Sequence, residues 1–300
     1  MRVFSCYLIL FSLACVPARA DESVPAYLVR LPPSVTTVFV ADTSAAAFHR
    51  FDSVADQKID YRGLTYMSIG KNGDGKQRNG DRRTPLGIYF VTEQLDTDRM
   101  HEKYGVTAFV LDYPNTWDRR MRRSGDGIWV HGVDRRGGKR PPLDTDGCIG
   151  LPNEKLTALE SRFVANVTPV LIAPKLSWVD QAEVNAVRDE LDAVISRWAE
   201  SWQRGDLHEY LSLYHDEFQH WQMNKDEWVA FSAETFALRP IQNAVVSDLL
   251  LLGDPAEEEL YLSRFRLAVT EAANTVERTK RLYWRRTENG TLKVIAEDSG

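Results

Sequence analysis

The hydrophobic rhythm of this chain changes once. From Val35 to about Pro174, apolar and β-branched residues come in short runs broken by Gly, Pro, Asn and Asp. From Asp180 they first recur three and four residues apart. A strand repeats every two residues and a helix every 3.6, so the change marks a break between two differently built units. The chain's 300 residues also exceed one ordinary core. Two domains are expected, at 21–178 and 179–300, divided near Lys175–Asp180.

Upstream, VTTVFVAD (35–42), LTYMSIG (64–70), GIYFVTEQL (87–95), TAFVLDY (107–113), GIWVHG (127–132) and VTPVLIAP (167–174) read as strands between turn signals. PNEKLTALESRFVAN (152–166) reads as a helix, with Pro152 near its start and Leu156, Leu159 and Phe163 at helical spacing. A mainly β domain with short helices is expected. Downstream, Val184, Val187, Leu191, Val194, Ile195, Trp198 and Trp202 define an amphipathic helix over 180–206, stopped by Gly205. A shorter helix at 207–215 and long strands at 244–253, 259–272 and 275–298 follow, the last folded at Asn289-Gly290. That order predicts an α+β domain.

The first twenty residues place Arg2 before an apolar run from Val3 to Val16 and end on Ala18-Arg19-Ala20. They read as a secretory signal peptide, with an apolar run too short to span a bilayer. A lipoprotein signal ending at Cys15 is the alternative, weakened by Ser12 where a large aliphatic residue is wanted. Export without a membrane span, to the periplasm or cell envelope, is the expectation. Without residues 1–20 the chain carries 35 basic residues against 43 acidic. Such an acidic surface argues against nucleic-acid binding, which needs a cationic face. Cys148 is then the one remaining cysteine, and a lone thiol outside the cytoplasm pairs between molecules or is reactive.

Cys148 lies in GIWVHGVDRRGGKRPPLDTDGCIGLPN (127–153), flanked by Gly147 and Gly150 and returned by an irregular loop to His131. A neutral imidazole beside a thiol can take its proton. The glycines free the backbone to aim N–H groups at an oxyanion. The start of the helix at 152–166 would favour a thiolate by about 0.3–1 kcal/mol. The bland reading is a buried hydrophobic cysteine and a core histidine. A second stretch, SIGKNGDGKQRNGDRRTPLGIY (68–89), is a Gly/Asn/Asp loop entering a strand through Thr84-Pro85. It lacks the Gly-Lys-Ser/Thr of a phosphate loop and the oxygen spacing of a calcium loop.

GDRRTPLGIY (80–89), followed by IWVHG and DTDGCIGL, resembles the L,D-transpeptidase catalytic domain of bacterial peptidoglycan enzymes over roughly residues 35–174. In that family the first motif leads into His-Gly and then into Ser/Thr-x-Gly-Cys. The 183–300 segment resembles a cone-shaped nuclear transport factor 2-like domain. The pairing occurs in exported enzymes that trim peptidoglycan tetrapeptides, the L,D-carboxypeptidases. The resemblance implies a β-sandwich catalytic domain without a cofactor. Cys148 would attack the L-centre carbonyl of the third stem residue and expel D-Ala. His131 would serve as base, oriented by the Gly132 carbonyl, and the Gly147 and Cys148 N–H groups would form the oxyanion hole. Water as acceptor gives a carboxypeptidase; an amine gives a transpeptidase.

Two positions depart from the family pattern. Asp146 replaces a histidine beside the cysteine, and Gly150 replaces an arginine two residues after it. Substrate carboxylates must then meet other groups. Candidates are Arg82, Arg83, Arg135, Arg136, Lys139 and Arg140, with Thr84, Thr145 and Asp146 as further substrate-binding residues. The alternative function is an inert cell-wall scaffold that keeps the fold. A papain-type protease is disfavoured, because its histidine follows its cysteine at long range. His208, His215 and His220 with Asp206, Asp216 and Glu217 match no strong metal-ligand spacing, so no metal is expected. Trp198, Trp202, Trp221, Trp228, Tyr210, Tyr214 and Phe218 read as core or as the lining of a cleft for a protein or glycan ligand.

Overall fold

A computed structural model describes residues 23–54, 58–134, 140–238, 241, 243–271 and 274–300. The expected signal segment, together with Arg135, Arg136 and Lys139, lies outside the described residues. The first strands are β1 (Ser23–Pro25), β2 (Leu28–Arg30), β3 (Thr37–Asp42), β4 (Ala47–Ser53), β5 (Ile59–Tyr66), β6 (Ile69–Gly70), β7 (Gly87–Leu95) and β8 (Ala108–Leu111). Next come α1 (Thr116–Arg120), β9 (Trp129–Gly132), β10 (Leu143–Thr145), β11 (Ile149–Leu151), α2 (Asn153–Leu159), β12 (Pro169–Ala173) and β13 (Trp178–Asp180).

Eight strands form one mixed sheet in the order β11-β9-β8-β7-β12-β3-β4-β5, with β6 and β10 paired beside it. β3 and β12 are buried along their whole length. Their alternation sorts residues between two cores. Phe39 and Val170 pack with Phe109, Val130, Ile149 and Phe163 on one side, while Val38 and Leu171 join a second core on the other. Phe163 stacks on Phe39 at 4.5 Å and on Phe109 at 4.2 Å, tying β3 and β8 into one core. The strand-rich domain with short helices is as the sequence predicts.

The remainder holds α3 (Gln181–Gln203), α4 (Leu207–Ser212), β14 (Tyr214–Gln219), α5 (Lys225–Leu238), β15 (Asn243–Gly253), β16 (Leu260–Glu271), β17 (Asn274–Arg286) and β18 (Leu292–Asp298). Reciprocal capping between Asp180 and Glu183 starts α3, and Gly205 at φ +67° follows its end. Its face of Val184, Leu191, Ile195 and Trp198 packs with Phe265, Leu267 and Trp284. These strands make a six-stranded sheet, β14-β18-β17-β16-β15-β2.

Its last member, β2, comes from the start of the chain. Leu28 and Arg30 pair with β15, and β1 pairs with β13. β2 therefore builds onto the second sheet and β1 forms a separate two-stranded sheet with β13, although the sequence divides the domains near 178. The second core joins the two sheets: Ile88, Phe90 and Leu171 from the first meet Leu250, Leu262 and Tyr283 from the second. Arg281 spans the same seam, 2.7 Å from Asp112 and 2.6 Å from Asp298. Arg123 likewise joins Asp118 at 3.2 Å to Glu257 at 3.1 Å. Three cores in series, with two sheets between them, join the strand-rich domain to its companion.

Candidate active site

Parallel pairing of β11 on β9 sets Gly150 opposite His131 and Leu151 opposite Gly132. Cys148 stands one residue before β11 and two before the partner of His131, so the pairing of β11 on β9, strands about 5 Å apart, brings both residues to one end of the sheet. Both line one cavity of about 680 Å³. Gly132 is held to glycine by packing, because a Cβ there would collide with Asn153 and press on Gly105.

The imidazole is 3% exposed, and its Nδ1 lies 2.6 Å from the Gly132 carbonyl oxygen. With Nδ1–H donated there, Nε2 is left as the basic nitrogen. Tyr104 braces the ring edge-on, with centroids 5.4 Å apart. Burial pulls the His131 pKa down to about 4; the Gly132 hydrogen bond opposes this, and the charges of Arg140 and Lys103 add to it. Burial pushes the Cys148 thiol up, against a lowering contact from the Trp129 backbone. At rest the thiol donates to the Gly127 carbonyl at 3.4 Å. Both groups are thus neutral near pH 7. Neutral partners are what general-base chemistry would use, in contrast to a stored thiolate–imidazolium ion pair.

The expected help from a helix start is not realised. β11 separates Cys148 from α2, which holds only seven residues. Instead the turn is fixed by hydroxyls. Thr84 donates to the Gly147 carbonyl at 2.9 Å and accepts from Gly70 N–H, while Thr145 donates to the Cys148 carbonyl at 2.7 Å. Gly147, at φ +131°, brings its backbone against the Arg83 carbonyl, where a Cβ would sit at 2.9 Å. Its N–H, expected as an oxyanion donor, is given to Thr145 Oγ1 at 3.1 Å.

The expected substrate-binding residues separate. Thr84 is fully buried and Thr145 nearly so, and both spend their hydroxyls on this turn rather than on a ligand. Arg83 turns away and donates to the Asp74 carbonyl at 2.8 Å. Arg82, Arg140 and Asp146 line the cavity, joined by Lys71, Lys103, Tyr104, Asp126 and Trp129, none of which the sequence singles out. Asp146 is the hub of the mouth, 3.3 Å from Lys71, 3.7 Å from Lys103 and 4.0 Å from Arg82. Asp81 of the first motif organises its loop by accepting from Lys76 Nζ and from the N–H groups of Gln77, Arg78 and Arg83. Those bonds hold its carboxyl well below the usual range, against burial.

In the second domain, His215 Nδ1 accepts from Glu217 N–H and His220 Nδ1 bonds the Glu297 carbonyl. Trp198, Trp202, Tyr210 and Trp228 line a cleft of about 460 Å³. Trp221 lies outside it, exposed on a turn.

A strand-rich domain with a cysteine just before one strand and a histidine on the parallel strand beside it, fused to an α+β domain, defines the class. The family model of the L,D-transpeptidase catalytic domain matches residues 37–172, and that of the Cds6 C-terminal NTF2-like domain matches residues 190–298. The chain therefore joins an L,D-transpeptidase catalytic domain to a Cds6-type NTF2-like domain. Among solved structures, Bd1075 of Bdellovibrio bacteriovorus superposes with a TM-score of 0.77 at 22% identity, over 93% of this chain and 98% of that one. The helical cell shape determining protein Pgp2 of Campylobacter jejuni gives 0.78 at 23% identity, over 91% and 95%. At that identity the likeness is one of fold, and it extends over both domains. A search of curated proteins found no match.

Proposed function

We propose that this chain is an exported peptidoglycan enzyme that trims tetrapeptide stems as an L,D-carboxypeptidase. Cys148 Sγ attacks the L-centre carbonyl of the third stem residue while His131 Nε2 takes the thiol proton. The Cys148 N–H faces the developing oxyanion. The C–N bond to D-Ala breaks as His131 returns that proton to the leaving amine, and a thioester remains. Water, deprotonated by the same imidazole, then attacks the thioester; the tripeptide carboxylate leaves and the thiol is restored. One observation carries this reading: the Nδ1–Gly132 bond that presents Nε2 as a base in the cavity holding Cys148.

Water is favoured over an amine by charge. The cavity is lined by Lys71, Lys76, Arg82, Lys103 and Arg140 against Asp126, Asp144 and Asp146. An anionic stem peptide is attracted there, whereas an ammonium acceptor is repelled. Pgp2 is described as determining helical cell shape, and a cell-wall role of that kind is the biological setting we infer. The segment 1–20 would direct export to the periplasm, and the aromatic cleft of the second domain offers a place for a protein or glycan partner.

A second reading, an inert wall-binding scaffold, draws on the raised thiol and on Asp146 beside it. Incubation with disaccharide tetrapeptide, followed by mass spectrometry, decides between them. Loss of one D-Ala with wild type and none with Cys148→Ala supports trimming; joined stems would move the assignment to crosslinking. Unchanged substrate in both samples, with no carbapenem adduct on Cys148, would leave the scaffold.

A further inference from the structure

We infer that Arg140 is the anchor for the α-carboxylate of the residue that leaves, a role that rests on the trimming reading above. Among the described cations of the cavity, Lys76 is spent on Asp81 at 2.8 Å, and Lys71, Lys103 and Arg82 share Asp146. Arg140 is held differently. Its Nη2 donates to the Lys103 carbonyl at 3.1 Å and its Nε lies 3.5 Å from Asp144, while Nη1 has no hydrogen-bond partner among the described residues. The guanidinium is therefore fixed in direction with donors to spare.

Its surroundings are built for that position. The Tyr66 hydroxyl donates to the Arg140 carbonyl at 2.7 Å, and the Ser68 hydroxyl donates to the next carbonyl, that of Pro141, also at 2.7 Å. Only 16% of the Arg140 side chain is exposed. Nη1 reaches to 3.8 Å from where a Cβ on Gly150 would stand. That is ordinary contact distance, so the guanidinium lies against β11 two residues past Cys148. The Arg140 charge acts on both the Cys148 thiol and His131, so it stands within electrostatic reach of the reacting atoms.

The substrate geometry matches. In a peptide cut at its last bond, only one nitrogen and one Cα separate the attacked carbonyl from the terminal carboxylate, about 3–4 Å. A guanidinium lining the same cavity as the sulfur can meet that carboxylate with paired N–H donors, which a lysine cannot do. Arg140 would thereby select substrates ending at the scissile residue. Longer peptides, which lack a carboxylate there, would be refused.

Two measurements on the full chain separate this inference from the trimming reading. The first is alkylation of Cys148 by iodoacetate and by iodoacetamide, corrected with Cys148→Ala. The thiolate displaces iodide in both cases, but only iodoacetate carries a carboxylate. Arg140→Gln should lower the iodoacetate-to-iodoacetamide rate ratio about tenfold, and Arg82→Gln should lower it less than threefold. An unchanged ratio in Arg140→Gln, or an equal fall in both variants, overturns the assignment. This readout requires no turnover, so it stands even if the protein trims nothing. The second compares tetrapeptides ending in D-Ala or D-alaninamide. Wild type should prefer the acid by at least tenfold in kcat/KM, and Arg140→Gln should show a preference below threefold. Retained preference in the variant removes Arg140 as the anchor. Gly150→Arg placed on Arg140→Gln should recover part of the preference, by offering a guanidinium from the facing strand.

Discussion

The cavity at Cys148 and the polar network that meets the second domain's aromatic cleft at Lys280 and Tyr210 handle charge in opposite ways. In the second domain Glu297, only 1% exposed, is matched within the fold: Lys280 pairs with it and the Tyr214 hydroxyl donates to it at 2.9 Å. Trp198 Nε1 and Tyr210 complete the network on Tyr214, at 3.0 and 2.5 Å. At Cys148 the cations lining the cavity exceed the carboxylates, and the buried His131 that also lines it spends Nδ1 on the Gly132 carbonyl. A neutralised network stabilises a fold, whereas an unbalanced one leaves interactions to be completed by a ligand. Shape alone would not distinguish the two.

The strongest way to break this contrast is His131→Gln. Glutamine can still donate to the Gly132 carbonyl but offers no basic nitrogen. kcat/KM for stem trimming should fall about 10²–10⁴-fold with little change in unfolding midpoint. A fall of less than tenfold would mean another group takes the thiol proton.

Next in size is Lys280→Met, which leaves Glu297 buried without its cation. Stability should drop by about 3–5 kcal/mol in urea unfolding, while kcat of the folded fraction stays within twofold. Replacing both partners, as Lys280→Met with Glu297→Leu, should recover much of the loss. If trimming falls further than folding in the single variant, the second cavity takes part in catalysis and the contrast fails.

pH sharpens the same point through His131. Its folded pKa of about 4 lies below the ordinary 6.5, so the unfolded chain binds a proton that the native state refuses. Stability from this group is full above pH 6.5 and declines as pH falls toward 4, by about 3 kcal/mol in total. Because carboxylates titrate over the same range, the test is the difference between wild type and His131→Gln across pH 7 to 4. Parallel curves would show that the imidazole is not held neutral.

The sequence was a better guide to the second sheet than to the mouth of the first cavity. The strands expected at 244–253 and 259–272 form within a residue of their predicted ends, because long alternating runs leave one register that buries the apolar face. β4 was not predicted, since His49, Arg50 and Asp52 break its pattern. The structure buries Asp52 by pairing it with Arg50 and Arg62, while Thr37 donates to it at 2.9 Å. The pairing of β2 with β15 spans more than two hundred residues and has no local signal. Cys148, His131 and Gly132 stood out because glycine and a lone thiol are chemically singular. Arg82, Arg83 and Thr84 looked alike in sequence, yet Arg82 at φ +55° splits them between the cavity, the Asp74 carbonyl and the core. Lys71 and Lys103 reach the site only through tertiary folding.

Asp146→Asn carries the smallest expected effect and probes the balance at the mouth. The carboxylate raises the Cys148 pKa, and Lys71, Lys103 and Arg82 compete for it. More than half of its side chain is exposed, so screening limits its effect on folding to below about 1 kcal/mol. Removing the charge lowers the thiol pKa and frees three cations toward an incoming anion. Alkylation by iodoacetamide at pH 8 should quicken about two- to fivefold, and KM for the tetrapeptide should fall by a similar factor. Both shifts should shrink in 1 M salt, where the Debye length is about 3 Å. Slower alkylation, or a higher KM, would mean that Asp146 orders the mouth rather than restraining its charge, and that the surplus at the first cavity depends on the aspartate it outnumbers.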